Sequence, residues 1–308
     1  MRSPTIRAAF LVNPASAGGS TGRRWPELAH RAAQLGLAGD VFMSESAGHM
    51  THLARDAAGD GYELLVVVGG DGTVNEVVNG IGGLPDAPAL ALVPRGTGRD
   101  FARTFGLGSG FDAAVRAALA GETRVLDLGR ISYRAWNGED ADGWFVNVGG
   151  AGISGAVAKR ANDSTKVFGG RLSYLAAILA VFVRWQVSEM TVEVDGERRA
   201  GPMHEVFVAN GAFLGGGLHI CPDADPGDGF LDVLVLGHFT KRDLALTLPK
   251  AYKGKHLPHP KIEVLRGRVV TVDAEQALPI QLDGEQPGTT PARFEIVPGA
   301  LRLKVPRS

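Results

Sequence analysis

A single cysteine, Cys221, is present among the 308 residues. One thiol cannot build a disulfide framework within the chain, and it cannot provide a cysteine-based zinc site. Scarce cysteine is typical of proteins that work in a reducing compartment. We therefore expect the protein in the cytoplasm.

The chain also lacks an excess of charge of either sign. Its 32 lysines and arginines balance 33 aspartates and glutamates, which gives a net charge of −1. The basic residues are spread along the chain and form no tract or aromatic-interleaved patch of the kind that binds nucleic acid. Nucleic acid is therefore not an expected partner.

No apolar run is long enough for export or for a membrane span. The first run ends at Asn13-Pro14, too short for the core of a signal peptide, and residues 172–185 fall short of a transmembrane helix. That second run is apolar nearly all round a helix, which is typical of a buried helix, although it could also wall an acyl-chain cleft or touch a membrane. Membrane contact is therefore expected to be peripheral, at the inner face.

The first part of the chain alternates strand-like apolar runs with longer helical patterns. The strand-like runs are residues 8–12, 40–43, 64–68 and 89–93, and the helical patterns are residues 25–35, 49–58, 74–81 and 111–120. Such alternation predicts a parallel sheet covered by helices on both faces, with ligands beyond the carboxyl ends of the strands.

After Thr123 the pattern changes to short, partly alternating segments. These are residues 191–194, 205–209, 231–236, 261–265, 269–272 and 280–282, with Asp-Gly turn signals at 195–196, 228–229 and 283–284. The fold class we predict is α/β, with a parallel-sheet nucleotide-binding lobe over residues 1–128. An antiparallel β-sandwich lobe follows over residues 129–308, and its last strand or tail is free to return to the first lobe.

Residues 64–80 read LLVVVGGDGTVNEVVNG, an apolar run that stops at glycine and resumes as a helical pattern. Gly69, Gly70 and Gly72 allow a sharp turn and a close backbone approach to a bulky anion. Thr73 suits the start of a helix, whose free N–H groups would face that anion. Asp71 would repel phosphates unless a divalent cation lay between them, so it implies Mg²⁺. The sequence predicts a nucleotide phosphate loop, and a structural turn is the alternative.

Two further glycine-bearing turns follow strand-like runs. One runs from Asn13 to Ser20, and its composition suits either an anion loop or an ordinary turn. In the other, residues 94–101, Thr97 could donate a hydroxyl to a phosphate, and Arg95 or Arg99 could add charge or simply face solvent. In a parallel sheet all three turns would share one edge.

Together these stretches resemble the diacylglycerol kinase catalytic domain family, the lipid kinases that include bacterial diacylglycerol kinases and sphingosine kinases. The residues that carry the resemblance are 13–20, 69–77, 94–102, 127–129 and 283–285. The resemblance implies that ATP lies over the loop from Gly70 to Glu76. The implied ATP contacts are Asn13, Ser44, Gly69, Gly70, Asp71, Gly72, Thr73, Asn75, Glu76, Gly96 and Thr97.

Residues 221–235, CPDADPGDGFLDVLV, resemble the family's structural magnesium segment. The resemblance implies that Asp228 supplies a carboxylate ligand and that Asp225 and Phe230 supply backbone carbonyl oxygens. An oxygen-only site completed by water suits Mg²⁺. The alternative is an acidic hairpin turn, which aspartate and glycine also favour.

Two carboxylates are candidates for the chemical step. Asp127 follows residues 124–126 at the expected junction between lobes, and Glu285 follows the Asp283-Gly284 turn. Phosphoryl transfer to an alcohol needs a group that accepts the hydroxyl proton, besides magnesium that offsets phosphate charge. The resemblance implies that the base lies here. We favour Glu285 as proton acceptor, with Asp127 orienting substrate or sharing the role, and two exposed carboxylates are the alternative.

The sequence thus predicts a lipid kinase that transfers the γ-phosphoryl of ATP to a lipid hydroxyl, with diacylglycerol as the leading acceptor. One Mg²⁺ would accompany ATP near Asp71 and another would bind around Asp228. Two alternatives remain, an NAD kinase with the same glycine loop and a non-catalytic protein that binds ATP or lipid. If the protein oligomerises, we expect a dimer.

Overall fold

The computed structural model describes residues 6–96, 98–108, 110–163 and 170–307. Its contacts divide the chain into two units. The N-terminal unit comprises Met1–Leu126 with Gly299–Ser308, and the C-terminal unit comprises Asp127–Pro298. The division falls two residues before the predicted boundary, and the last ten residues group with the first unit.

The N-terminal unit alternates strands and helices along the chain. Its elements are β1 Ala8–Val12, α1 Ser20–Gln34, β2 Asp40–Met43, α2 His49–Gly59, β3 Leu64–Gly69, α3 Asp71–Ile81, β4 Ala89–Pro94, α4 Asp100–Thr104, α5 Phe111–Ala120 and the first part of β5 Glu122–Ala135. The strands pair in the order β2-β1-β3-β4, all parallel. Near the end of the chain, Leu303 pairs beside Leu90 of β4, also in parallel. The predicted parallel sheet is confirmed.

Burial explains why these segments form a covered parallel sheet. Every residue of β1 and β3 is buried, as expected for strands packed on both faces. Helix α1 turns Trp25, Leu28 and Ala32 toward the sheet, where they join the apolar core. The strand order reverses between β1 and β3, so the loops that follow these two strands flank the position where such sheets bind ligands.

The C-terminal unit consists of antiparallel strands and, among its described residues, three helices. Its elements are the rest of β5, β6 Asp140–Phe145, β7 Val148–Gly152, α6 Ile153–Asp163, α7 Gly170–Phe182, β8 Ser188–Val194, β9 Glu197–Ala209, β10 Phe213–Leu214, β11 Leu218–His219, β12 Leu231–Gly237, α8 Lys241–Ala251, β13 Ile262–Gly267, β14 Val269–Ala274, β15 Ile280–Leu282 and β16 Gly288–Val305. Strands β13-β12-β9-β8-β14-β16 are neighbours in that order, and β7 pairs with β9 and β15. The predicted β-rich second unit is confirmed.

The apolar residues of this unit form a core between the sheet faces, with Phe145, Val208, Val270 and Phe294 completely or almost completely buried. The Asp-Gly pairs form turns as predicted. Helix α7 is apolar, but one side of it is open, because Leu172 and Leu179 are 61% and 48% exposed. The expectation that this helix is buried all round is therefore wrong for that side. Within the described ranges, no helix combines the length and apolar character that a membrane span requires.

Candidate active site

The loops after the parallel strands of the N-terminal unit are tied together through their backbones. The Asn13 N–H donates to Val68 O at 3.0 Å, the Ser44 N–H to Val12 O at 3.0 Å, and the Arg95 N–H to Gly69 O at 2.7 Å. Each of these bonds continues the sheet by one residue into a loop. The structure therefore brings the predicted loops to one edge of the sheet.

Glycines let two of these loops cross at very short range. A Cβ at Gly96 would lie 2.8 Å from the Gly70 Cα, and a Cβ at Gly98 would lie 2.4 Å from Asp71 Oδ2. A Cβ at Gly69 would lie 2.3 Å from Thr73 Oγ1. Distances this short exclude any side chain. The glycines are therefore required by the close approach of the loops themselves, and Gly70, Gly96 and Gly98 are half-buried.

Asp71 opens helix α3, which begins two residues earlier than the predicted start at Thr73. Its Oδ1 accepts a hydrogen bond from the Phe101 N–H at 3.0 Å, so the carboxylate also holds the first turn of α4. Thr73 is buried, and its Oγ1 accepts from Asn13 Nδ2 at 3.0 Å. No side chain of the described residues caps α3, so its first N–H groups remain suited to an anion.

The two arginines of the third loop behave differently. The Arg95 guanidinium donates to Thr21 Oγ1 at 3.3 Å and to Ser20 Oγ at 3.2 Å, which joins the third loop to the start of α1. Arg99 occupies a left-handed conformation, φ 58°, at the N-cap of α4. Among the described residues its buried Nε finds no hydrogen-bond partner. Thr97, a predicted phosphate contact, lies outside the described residues.

Two residues that were predicted to contact the nucleotide make hydrogen bonds to other residues of the N-terminal unit. Glu76 Oε2 accepts from the Met50 N–H at 3.0 Å, and the Glu76 carbonyl accepts from Thr51 Oγ1 at 3.0 Å, so this residue secures the start of α2. Asn75 Oδ1 accepts from Asn79 Nδ2 at 3.3 Å within α3. Sequence reasoning missed these roles, because the partners lie on another helix or one turn away.

In the C-terminal unit, the predicted magnesium segment forms a tight turn before β12. Asp228 Oδ1 accepts from the Phe230 N–H at 3.0 Å, and the Asp225 carbonyl accepts from the Asp228 N–H at 3.3 Å. The other oxygen of Asp228 pairs with the Arg266 guanidinium, which also lies over the Phe230 ring. Asp228 is thus already neutralised by a cation of the chain.

These residues do not fit a magnesium ion as they stand. The donors are oxygens, which Mg²⁺ prefers, but Arg266 occupies the carboxylate that the ion would need. In the part of the chain that the structure describes, no cluster of three or more His, Cys, Asp or Glu side chains is arranged to hold a metal ion. The structural magnesium site at Asp225, Asp228 and Phe230 therefore stays a prediction.

Asp127, on β5, is 4% exposed and contacts the same turn. Its Oδ2 accepts from the Gly229 N–H at 2.7 Å, and its backbone N–H donates to Pro226 O at 2.7 Å. Its carbonyl accepts from Asn210 Nδ2 at 3.0 Å. The carboxylate therefore fixes the acidic turn, a role that sequence reasoning did not identify.

Glu285, in contrast, is exposed at the tip of a firmly held turn. The preceding Asp283 accepts backbone hydrogen bonds from Val146 at 2.8 Å, Asn147 at 2.9 Å and Val148 at 3.1 Å. One carboxylate that binds three N–H groups fixes the turn strongly, since such charge-assisted bonds are stronger than neutral ones. Asp283 carries no signal in the sequence beyond the Asp-Gly pair itself.

Side chains from other elements complete the support of this turn. Gln281 Oε1 accepts from the Gly284 N–H at 3.0 Å, and Asn162 Nδ2 donates to the Gly284 carbonyl at 3.1 Å. Asn162 Nδ2 also lies 3.4 Å from Glu285 Oε2. The Glu285 carboxylate is thus presented by a rigid turn and remains accessible, as a proton acceptor requires.

An apolar cleft opens in the C-terminal unit between the sheet and its three helices. It encloses roughly 720 Å³, counted to its open mouth. Its walls include Val157 of α6, Ile178 of α7, Leu248 of α8, and Phe207 and Leu234 of the sheet. Walls of this kind suit hydrocarbon and not a polar nucleotide.

Few polar groups reach this cleft. Ser154 is one of them, and its backbone N–H and hydroxyl donate to Glu205 Oε2 at 2.6 Å and Oε1 at 2.7 Å. Complete burial raises the pKa of Glu205 from 4.5 to about 8, although the bonds from Ser154 act in the opposite direction. Burial likewise lowers the pKa of His256, whose Nε2 lies 3.0 Å from Ile220 O.

Two family models match the chain, one for each unit. The model described as the diacylglycerol kinase catalytic domain matches residues 7–131. The model described as the YegS C-terminal NAD kinase beta sandwich-like domain matches residues 147–305. Together they cover almost the whole sequence.

Curated relatives match over nearly their full length. Diacylglycerol kinase of Staphylococcus carnosus (strain TM300) is 27% identical over 288 residues, which is 94% of this chain and 91% of the relative. Diacylglycerol kinase of Bacillus subtilis (strain 168) is 27% identical over 289 residues, 94% of this chain and 92% of the relative.

Solved structures share the fold. A crystal structure of a diacylglycerol kinase from Bacillus anthracis str. Sterne superposes with a TM-score of 0.74 at 21% identity, over 98% of each chain. Another from that organism reaches 0.79 at 23% identity, again over 98% of each chain. With both family models placed on the two units, the chain belongs to the diacylglycerol kinase catalytic domain family, a family of ATP-dependent lipid kinases.

Proposed function

We propose that this enzyme transfers the γ-phosphoryl group of ATP to the hydroxyl of diacylglycerol and so forms phosphatidic acid. The observation that carries the lipid acceptor is the apolar cleft of the C-terminal unit. Its walls are aliphatic and aromatic, with Ser154, Thr247 and His256 as the polar exceptions. Burial of acyl chains against such walls is favourable in free energy, whereas the phosphates of NAD would lose their hydration there.

The glycine loops of the N-terminal unit support ATP as the donor. The half-buried backbone at Gly70 and Gly96, which carries no side chain, and the uncapped start of α3 suit phosphate groups. The magnesium ion that accompanies ATP would be held by Asp71, whose Oδ2 lies against Gly98 at the edge of these loops. When bound, the ion offsets the negative charge of the phosphates. Asn13, Ser44, Thr97 and the loop from Gly69 to Glu76 remain the proposed nucleotide contacts.

We assign proton acceptance from the lipid hydroxyl to Glu285. This carboxylate is exposed on a turn that Asp283 holds in place, so it is accessible to an incoming hydroxyl. The buried Asp127 carboxylate is already bound to the Gly229 N–H, which supports a positioning role for Asp127. As oxygen attacks phosphorus, the hydroxyl proton passes to Glu285, and ADP leaves with the electron pair of the broken P–O bond.

A transfer assay tests the proposal directly. Purified protein, labelled ATP and Mg²⁺ are incubated with separate samples of diacylglycerol, sphingosine, phosphatidylglycerol and NAD. We expect label in phosphatidic acid. Label in NAD alone would replace the proposal by NAD kinase activity. Absence of label from every acceptor, with ATP still bound, would indicate a non-catalytic binding protein.

A pair of neighbouring variants on α7 tests the cleft as the acyl site. Ile178 lines the cleft, whereas Leu179 beside it is 48% exposed. Ile178→Trp should fill the cleft and raise KM for long-chain diacylglycerol, with little change in KM for ATP. Leu179→Trp should change neither. Equal KM values for long-chain substrate in Ile178→Trp and wild type would exclude the cleft as the binding site.

The proposal places the enzyme in the cytoplasm at the inner face of the membrane, where its acceptor lies. Fractionation of cells that express a tagged chain would measure this distribution. A dimer remains our expectation for the oligomeric state, and sedimentation of the pure protein would determine it.

A further inference from the structure

Helix α8 has two faces of different chemistry. Leu244, Thr247, Leu248 and Ala251 line the apolar cleft. The opposite face is exposed and carries Arg242, Ala245, Leu246, Pro249 and Lys250. A helix that walls a lipid site on one side therefore presents cations and aliphatic carbon to solvent on the other.

The charge of this segment is strongly one-sided. Residues 241–255 contain five cations, Lys241, Arg242, Lys250, Lys253 and Lys255, all exposed, and one acid. That acid, Asp243, is already occupied, because it accepts from Lys261 Nζ at 2.7 Å and from the Thr240 N–H at 2.8 Å. The positive charge therefore remains largely uncompensated, in a chain whose net charge is −1.

Large apolar side chains accompany these cations. Leu246, in the middle of the α8 outer face, is 59% exposed. On α7, another helix of the cleft wall, Leu179 is 48% exposed, and Val183 just after its end is 60% exposed. Cations beside exposed aliphatic groups are typical of helices that lie at a membrane interface, where anionic headgroups attract the cations and aliphatic groups enter the acyl boundary.

We infer that the outer face of α8, formed by Arg242, Leu246 and Lys250, together with Lys253 just beyond the end of the helix, docks the enzyme on an anionic lipid surface. This surface is argued from charge and exposure alone, and only its purpose, delivery of a lipid to the cleft, rests on the proposed function. Docking there would hold the cleft close to the bilayer that contains the acceptor.

Vesicle sedimentation of the full-length chain tests the surface. Wild type should bind phosphatidylcholine vesicles that contain phosphatidylglycerol, bind phosphatidylcholine alone much more weakly, and dissociate as salt is raised. Each Lys or Arg near an anionic surface strengthens binding about fivefold, so Arg242→Gln with Lys250→Gln and Lys253→Gln should weaken binding about a hundredfold. The matched control removes the same charge from strands β5 and β9, by Arg130→Gln, Arg134→Gln and Arg198→Gln, and should bind nearly like wild type.

A second variant separates the apolar contribution. Leu246→Ser should weaken binding at all salt concentrations, whereas Val264→Ser, at a position 44% exposed on β13, should not. The inference would be overturned if wild type bound vesicles equally well with and without phosphatidylglycerol, or if the α8 triple variant bound as tightly as wild type. Phosphorylation of a detergent-dispersed short-chain diacylglycerol is measured in parallel. Failure of that reaction with normal vesicle binding would refute the proposed function and leave the docking surface intact.

Discussion

Glu205 provides the most direct test of what stabilises the C-terminal unit, because the stability of the unit should depend on whether this one carboxyl group carries a proton. The side chain is completely buried, and both carboxyl oxygens accept hydrogen bonds from Ser154 at the start of α6. The variant Glu205→Gln keeps the shape of the group. Its amide oxygen can accept from the Ser154 N–H, and its amino group can donate to the Ser154 hydroxyl, which can rotate to accept.

The magnitude follows from the pKa, which burial raises from 4.5 to about 8 in the folded chain. Because the folded value lies above the unfolded one, the folded chain retains a proton that the unfolded chain releases as the pH rises. The contribution of Glu205 to stability is therefore complete below pH 4.5 and is lost as the pH rises to about 8. At about 1.4 kcal/mol per pH unit, the loss amounts to about 5 kcal/mol.

Urea denaturation at several pH values measures this difference, with tryptophan fluorescence as the probe because Trp136, Trp144 and Trp185 all belong to the C-terminal unit. Wild type and Glu205→Gln should unfold at similar free energies near about pH 4, and the variant should be more stable by several kcal/mol near about pH 9. Glu189→Gln, at an exposed position on β8, controls for the loss of one charge. A difference between wild type and Glu205→Gln that stays constant with pH would refute the reasoning.

Three further predictions concern the candidate site. Asp71→Asn should lower kcat at least about 10²-fold without a change in Tm, because Asn still accepts from the Phe101 N–H but no longer carries charge for the metal of ATP; near-normal kcat would contradict this role. Glu285→Gln should lower kcat about 10²- to 10⁴-fold with ATP affinity unchanged by calorimetry, and a loss confined to Asp127→Asn would move the proton acceptor there. Asp228→Ala should lower Tm equally with and without Mg²⁺, since Arg266 is the partner of Asp228. If Mg²⁺ raised the Tm of wild type but not that of Asp228→Ala, the predicted magnesium site would be supported instead.

Local patterns were sufficient to predict the elements of the N-terminal unit. The continuous apolar runs in β1 and β3 can be buried only between two layers of helices, and the glycines that follow mark the turn at each strand end. The same logic placed Asn13, Gly70 and Gly96 at one sheet edge. The parallel direction of the strands needs no knowledge of distant contacts here, because it follows from the alternation itself.

Side-chain roles that depend on distant partners could not be predicted in this way. Asp127 and Gly229 are 102 residues apart, yet the carboxylate of one accepts the N–H of the other. The family resemblance assigned Glu76 to the nucleotide, although its carboxylate accepts a hydrogen bond at the start of α2. The contact between Arg266 and Asp228 likewise joins β13 to the turn before β12, two segments that no local pattern brings together.

The turn from β7 to α6 shows why a glycine loop alone is ambiguous. Like the turn from β3 to α3, it runs from a buried strand through glycines into the start of a helix. A Cβ at Gly150 would lie 2.5 Å from Glu205 Oε1, so these glycines make room for a carboxyl group of the chain itself, and that group accepts the Ser154 N–H at 2.6 Å. No such side chain of the described residues caps α3. A strand, a glycine turn and a helix start thus specify a place for an oxygen acceptor, and a side chain 51 residues away decides whether that place stays free for a ligand.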